Sequence, residues 1–152
     1  MVRDISLLVY HSQLFPAHWG LWIPSAGNPT VGKVIHVTGD SFSGFGHELK
    51  RGYSTVNTDR KPDLFLLANV EDRHIVDTPV CGVDTIAVDD IERIALATPA
   101  PVKSLNQASG EVWSPLPVLS LRCLFTKFDF ALVAAGIFPE AAITTLDNCP
   151  KN

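Results

Sequence analysis

Two neighbouring β-like runs, each carrying one histidine, constrain this chain more than any other feature. The first is Pro16-Ala17-His18-Trp19-Gly20-Leu21-Trp22-Ile23-Pro24, and the second is Gly32-Lys33-Val34-Ile35-His36-Val37. Between them Pro24-Ser25-Ala26-Gly27-Asn28-Pro29 is dense in turn formers, so the runs read as a hairpin. Side chains alternate across a strand, which puts His18, Gly20 and Trp22 on one face and Trp19, Leu21 and Ile23 on the other. In the second run His36 goes with Val34 and Thr38, opposite Ile35 and Val37. If the two apolar sets pair, both histidines emerge on the same face. A one-residue slip would turn a whole apolar set outward, so the register is strongly specified.

The rest of the pattern is a β-rich front and a helical back. Further strands are expected at Ile5–His11, His47–Val56 and Leu64–Val70, with a short one at His74–Val76. After Thr78-Pro79 the period changes. Ile91, Ile94 and Leu96 are spaced for a helix over 88–96, with Asp89-Asp90 as its cap. Residues 102–118, with Gly110, Pro115 and Pro117, read as an irregular connection. A helix is expected from Ser120 to Ala135, with Cys123 in its first turn and Gly136 as the stop. Pro139 opens a short last helix. At 152 residues these elements amount to a single domain, 1–152, of the α+β class: an antiparallel sheet packed against C-terminal helices.

Composition excludes some functions. A net charge of −4 leaves no broad basic surface, so nucleic acid is not an expected partner. The N-terminal apolar run, Ile5 to Tyr10, is too short for a signal segment or a membrane span, and a cytoplasmic location is the default. Three cysteines at wide spacing form neither a disulfide framework nor a metal knuckle. His18, His36 and His47 lack HxH or HxxxH spacing, so neither a metal nor another cofactor is expected. His11 and His74 have no evident partners, and Cys149 reads as inert or frayed.

The His-Trp pair, the following Val-Ile-His-Val strand and a helix-borne cysteine resemble the circularly permuted NlpC-type papain-like superfamily, whose members include the lecithin:retinol acyltransferase-like proteins. The resemblance implies a permuted papain-like fold with His18 as base, His36 as orienting group and Cys123 as nucleophile. Arg122 stands where that family has asparagine, and Leu124-Phe125 replace its polar-aromatic pair. The chain also resembles a family of small fungal proteins of poorly defined function, through Phe15-Pro16-Ala17-His18-Trp19, Glu48-Leu49-Lys50-Arg51 and the end from Leu132 to Asn152.

The activity so implied is cysteine-dependent hydrolysis or transfer of a small or lipid-like acyl group through a thioester, with first-turn amides stabilising the oxyanion. Two other readings stand beside it. One is a histidine acid/base isomerase or cyclase, of the kind a fungal biosynthetic pathway requires, in which the cysteine is a core thiol. The other is a binding module with a vestigial site. In each the partner is a small, apolar molecule, and an aromatic surface of Trp19, Trp22, Phe42, Phe45 and Tyr53, with His47 and Arg122, is the expected pocket lining. Oligomeric state is left open.

Overall fold

The computed structural model describes residues 1–13, 17–40, 42–79, 82–101 and 117–150, with backbone alone for 117–123. Six strands form one antiparallel sheet: β1 (Val2–Tyr10), β2 (His18–Ser25), β3 (Asn28–Asp40), β4 (Gly44–Ser54), β5 (Asp63–Glu71) and β6 (Gly82–Asp84), in the order β5-β1-β2-β3-β4-β6. Three helices follow: α1 (Asp90–Ala97), α2 (Pro117–Ala134) and α3 (Ala141–Asn148). The coarse α+β expectation of a sheet packed against C-terminal helices therefore holds. Among the described residues, no helix is long and apolar enough to cross a membrane.

Strand pairing sorts every side chain to a face. Ile5, Leu7, Val9, Trp19, Leu21, Ile23, Ile35 and Leu49 share the face that packs on the helices, where they meet Ile91, Phe125, Phe128, Leu132 and Leu146. Cross-strand partners Tyr10–His18, Leu8–Gly20, Gly20–His36, Trp22–Val34 and His36–Glu48 share the other face. Among the described residues that second face carries no helix, yet Leu8, Trp22 and Val34 are buried there. The cover has a topological origin. β4 lies near one edge of the sheet and β5 forms the opposite edge, so the connection 55–62 must traverse β3, β2 and β1. Its path is marked by Tyr53 Oη–Thr58 Oγ1 at 3.3 Å and by Arg60 Nη2 donating to the His11 carbonyl at 2.7 Å.

A bulge in β4 decides one side chain's face. Gly32 pairs with Tyr53 and Lys33 with Arg51, leaving Gly52 as the extra residue at φ 67°. Simple alternation would put Tyr53 with Arg51 on the helical face; the bulge turns it to the other. Positive φ is why a glycine stands there. Gly52→Val is expected to lose about 1–3 kcal/mol of stability, read from its urea midpoint.

On the helical face, four charges are sealed under α1. Glu92 accepts from Arg51 Nη1 at 2.7 Å and Nη2 at 3.0 Å, and from Lys33 Nζ at 2.7 Å; Lys33 also pairs with Asp89. Asp89 is the N-cap of α1, accepting from the Glu92 amide at 2.9 Å, as its place in the sequence suggests. Burial pushes the Glu92 carboxyl up, but the bonds from Arg51, Lys33 and the Val88 amide outweigh it and hold it below the usual range.

Several local expectations are corrected. His74 ends a 3-10 turn (Asp72–His74), and its Nδ1 lies 2.8 Å from Asp90 Oδ2. His11 likewise has a partner, Asp63, at 2.8 Å. β6 had no periodic signal in three residues. Residues 117 and 118 are already helical, while the rest of the expected 102–118 connection lies outside the described residues. Pro139 precedes α3 instead of opening it. Cys149 is buried, with Sγ 3.2 Å from the Thr145 carbonyl, not frayed.

Candidate functional site

The two histidines do come together. His18 Nε2 and His36 Nδ1 are 3.0 Å apart, with ring centroids 5.1 Å apart and planes at 85°. Register produces this: Gly20 sits directly opposite His36, and the missing side chain leaves room for the His18 ring one pleat away. A Cβ on Gly20 would lie 2.9 Å from Val34 Cγ1 and 3.5 Å from His36 Cβ. Around the pair, Leu8, Tyr10, Gly20, Val34, Lys50 and Tyr53 line a cleft of about 50 Å³. Gly20 and Val34 form its floor. Tyr10 and Tyr53, whose hydroxyls meet, form its far wall.

Behind His36 stands Glu48, its cross-strand neighbour, with Oε1 3.4 Å from His36 Nε2. That separation lies outside hydrogen-bond geometry, and among the described residues Nε2 has no other partner. Burial, then the Lys50 ammonium, lowers the His18 pKa, with Glu48 opposing. The same causes, joined by the His18 ring, push His36 down to about 4. Both rings are thus neutral at pH 7, each with one N–H to place.

The carboxylate decides where the protons sit. A neutral His36 facing Glu48 through Nε2 carries its proton there, which makes Nδ1 the acceptor. His18 must then donate from Nε2, leaving His18 Nδ1 as a free lone pair. One carboxylate thereby sets two tautomers in series and presents a single basic nitrogen. This is the logic of an acid–histidine relay, with a second imidazole interposed.

The other expected site residues divide. Trp22 and Tyr53 lie on the histidine face, Trp22 buried and 6.0 Å from the Tyr53 ring, Tyr53 in the cleft wall. Trp19 does not: it faces the helices, stacks edge-on with Phe125 at 6.2 Å and donates Nε1 to the Pro150 carbonyl at 3.2 Å. His47 is also on the helical face, with Nε2 2.6 Å from the Thr98 carbonyl. Phe42 is exposed in the β3–β4 turn, and Phe45 pairs with Gly39 near that turn; neither lines the cleft.

The side chains of Arg122 and Cys123 lie outside the described residues. The backbone of α2 nevertheless bears on the expected thiol. The helix begins at Pro117, so Cys123 is its seventh residue and not in the first turn, where free amides and the dipole act. The packed part of α2, through Phe125, Phe128 and Leu132, lies on the helical face, whereas the histidine rings emerge on the opposite one. The sheet stands between that helix packing and the imidazoles.

Glu48, Lys50 and Tyr10 are the site residues that sequence reading passed over. Glu48 had a legible signal, since a carboxylate two residues before Lys50 in an exposed strand shares its face. Its pairing with His36 depends on the β3–β4 register. No group of three or more potential metal ligands occurs among the described residues.

One family model, described as a family of unknown function (DUF6540), matches residues 5–139. No curated protein and no solved structure matches the chain.

Proposed function

The chain belongs to that family of unknown function (DUF6540), and for it we propose general acid–base chemistry: His18 removes and returns a proton on a small molecule, in an isomerisation or cyclisation. The observation that carries this reading is the chain Glu48–His36–His18, at 3.4 and 3.0 Å; the tautomers that the Glu48 charge favours leave His18 Nδ1 unprotonated. His36 and Glu48 act through His18 as positioning residues. They hold its tautomer, and the Glu48 charge stabilises the imidazolium formed when His18 Nδ1 takes a proton.

The low His18 pKa fits a base that is already deprotonated at neutral pH. It predicts a rate that rises through a midpoint below 6.5, the ordinary histidine value, and then stays level. The permuted papain-like arrangement and thioester chemistry on Cys123 rest on the family resemblance and require that thiol to reach the far face of the sheet.

A direct test is exchange of α-protons of small carbonyl compounds with deuterium in D2O, followed by proton NMR. His18→Ala should lower exchange by about 10²–10⁴-fold, while Cys123→Ala retains it. Loss in Cys123→Ala with retention in His18→Ala would favour the thiol reading. Equal exchange in both variants and in buffer would leave a binding module. Ring ¹⁵N shifts provide a check that needs no substrate: His18 and His36 should both be protonated at Nε2 alone at pH 7.

A further inference from the structure

Beyond the histidines, the cleft opens past Lys50 and Tyr53 into a wider groove of about 510 Å³. It is lined by Ser54, Asn57, Thr58, Asp59 and Gly82. Lys50 and Tyr53 border both spaces. Anything that lies in the groove with one end at His18 must pass the Lys50 ammonium.

Among the described residues Lys50 is committed to no closer partner. Its Nζ stands 4.0 Å from Glu48 Oε1, at the limit of an ion pair, and the side chain is 40% exposed. The other two cations near this end of β4 contrast with it: Arg51, which also borders the groove, and Lys33 have buried side chains engaged by Glu92. Asn57 and Ser54 add neutral donors along the same wall, whereas the Thr58 hydroxyl already donates to the Arg60 carbonyl. The charge count limits what an anion can be. Asp59 lines the groove and Glu48 stands 4.0 Å from the Lys50 ammonium, so a dianion such as a phosphate monoester is repelled, whereas a single carboxylate can be held by one ammonium and hydroxyl or amide donors.

We propose that Lys50 receives the carboxylate of the substrate, so that the histidine pair acts on a monoanionic organic acid lying in the groove between Tyr53 and Gly82. This inference rests on the acid–base reading of His18 and names its substrate class. It also gives binding a consequence for the base. In the empty site Lys50 is the positive charge nearest the histidines from β4, facing His18 from β2, His36 from β3, Tyr10 from β1, and Tyr53 and Glu48 from its own strand, with Asp59 on the covering connection. A bound carboxylate neutralises that charge, and His18 becomes more basic only when the substrate is in place.

The test uses sodium benzoate and, as its uncharged counterpart, benzamide, with the histidine ring resonances as readout across a pH titration. Benzoate should shift the His18 and His36 signals saturably and raise the His18 midpoint, and benzamide should do neither. Lys50→Met should weaken benzoate binding by about tenfold or more, raise both histidine midpoints in the free protein, and remove the benzoate-induced rise. Lys50→Arg should keep the response. Equal effects of benzoate and benzamide, no effect of either, or an unchanged response in Lys50→Met would overturn the assignment. Those failures are separable from failure of the acid–base reading. If the ring ¹⁵N shifts still report the expected tautomers and His18→Ala still loses exchange, only the Lys50 role falls.

Discussion

Glu92→Ala is expected to cost about 3–5 kcal/mol, because it leaves two buried cations facing a gap. Arg51 is about 2% exposed at its side chain and would lose two of its charge-assisted bonds; Lys33 would lose one carboxylate and keep Asp89 and the Val76 carbonyl. The Val88 amide, which donates to Glu92 Oε2 at 2.7 Å, would also be orphaned. With roughly 1–3 kcal/mol per molar urea, the unfolding midpoint should fall by roughly 2 M. The contrast that identifies the cause is the double replacement Arg51→Met with Glu92→Met. It removes one cation and one anion together, leaves Lys33 with Asp89, and should recover most of the loss. A double variant as unstable as Glu92→Ala would mean that α1 docking, not stranded charge, is the origin of the cost.

Asp129 should make stability fall as pH rises. It lies fully buried on α2, neither carboxylate oxygen is partnered among the described residues, and burial raises its pKa from 3.8 to about 7. Its folded form therefore holds a proton that the unfolded chain releases. The stability it contributes is complete below pH 4, declines through the interval up to pH 7, and is lost above that. A shift of about three units corresponds to about 4 kcal/mol. Asp129→Asn cannot ionise, so it should match the parent protein at pH 4 and exceed it by up to that amount at pH 8.

The difference between variants is the quantity to follow, not the parent curve alone. His36, held at about 4, acts in the opposite sense: the unfolded chain binds its proton first, so its contribution is lost as pH falls from 6.5 towards 4. The two slopes oppose each other across the same window. A variant-minus-parent difference that does not change between pH 4 and pH 8 would show that Asp129 stays ionised in the fold.

The face of each central strand was legible because alternation is a local property. His18 with Gly20, and His36 with Val34, could be placed before any pairing was known. Parity also placed Trp19 opposite His18, and for that reason Trp19 belongs to the helical core and not to the cleft. Tyr53 and β6 were not legible in the same way. Tyr53 reaches the cleft only through the bulge at Gly52, and β6 is three residues added to the edge of β4. Such short pairings are decided by the strand already present, not by their own composition.

What the residues determined alone is the hairpin: two alternating runs with one histidine each, which bury their apolar sets only when both imidazoles share a face. Which face that is, and what stands on it, was decided by the tertiary structure. Helix packing covers the Trp19 side, so the histidines emerge opposite α1 and the packed part of α2, the expected thiol helix. Register in β3–β4 then sets Glu48 behind His36, and the 55–62 connection crosses that face because β5 forms the far edge. Side-chain alternation is written in neighbouring residues. The choice of covered face is a balance of burial over the whole sheet, which no local run of sequence contains.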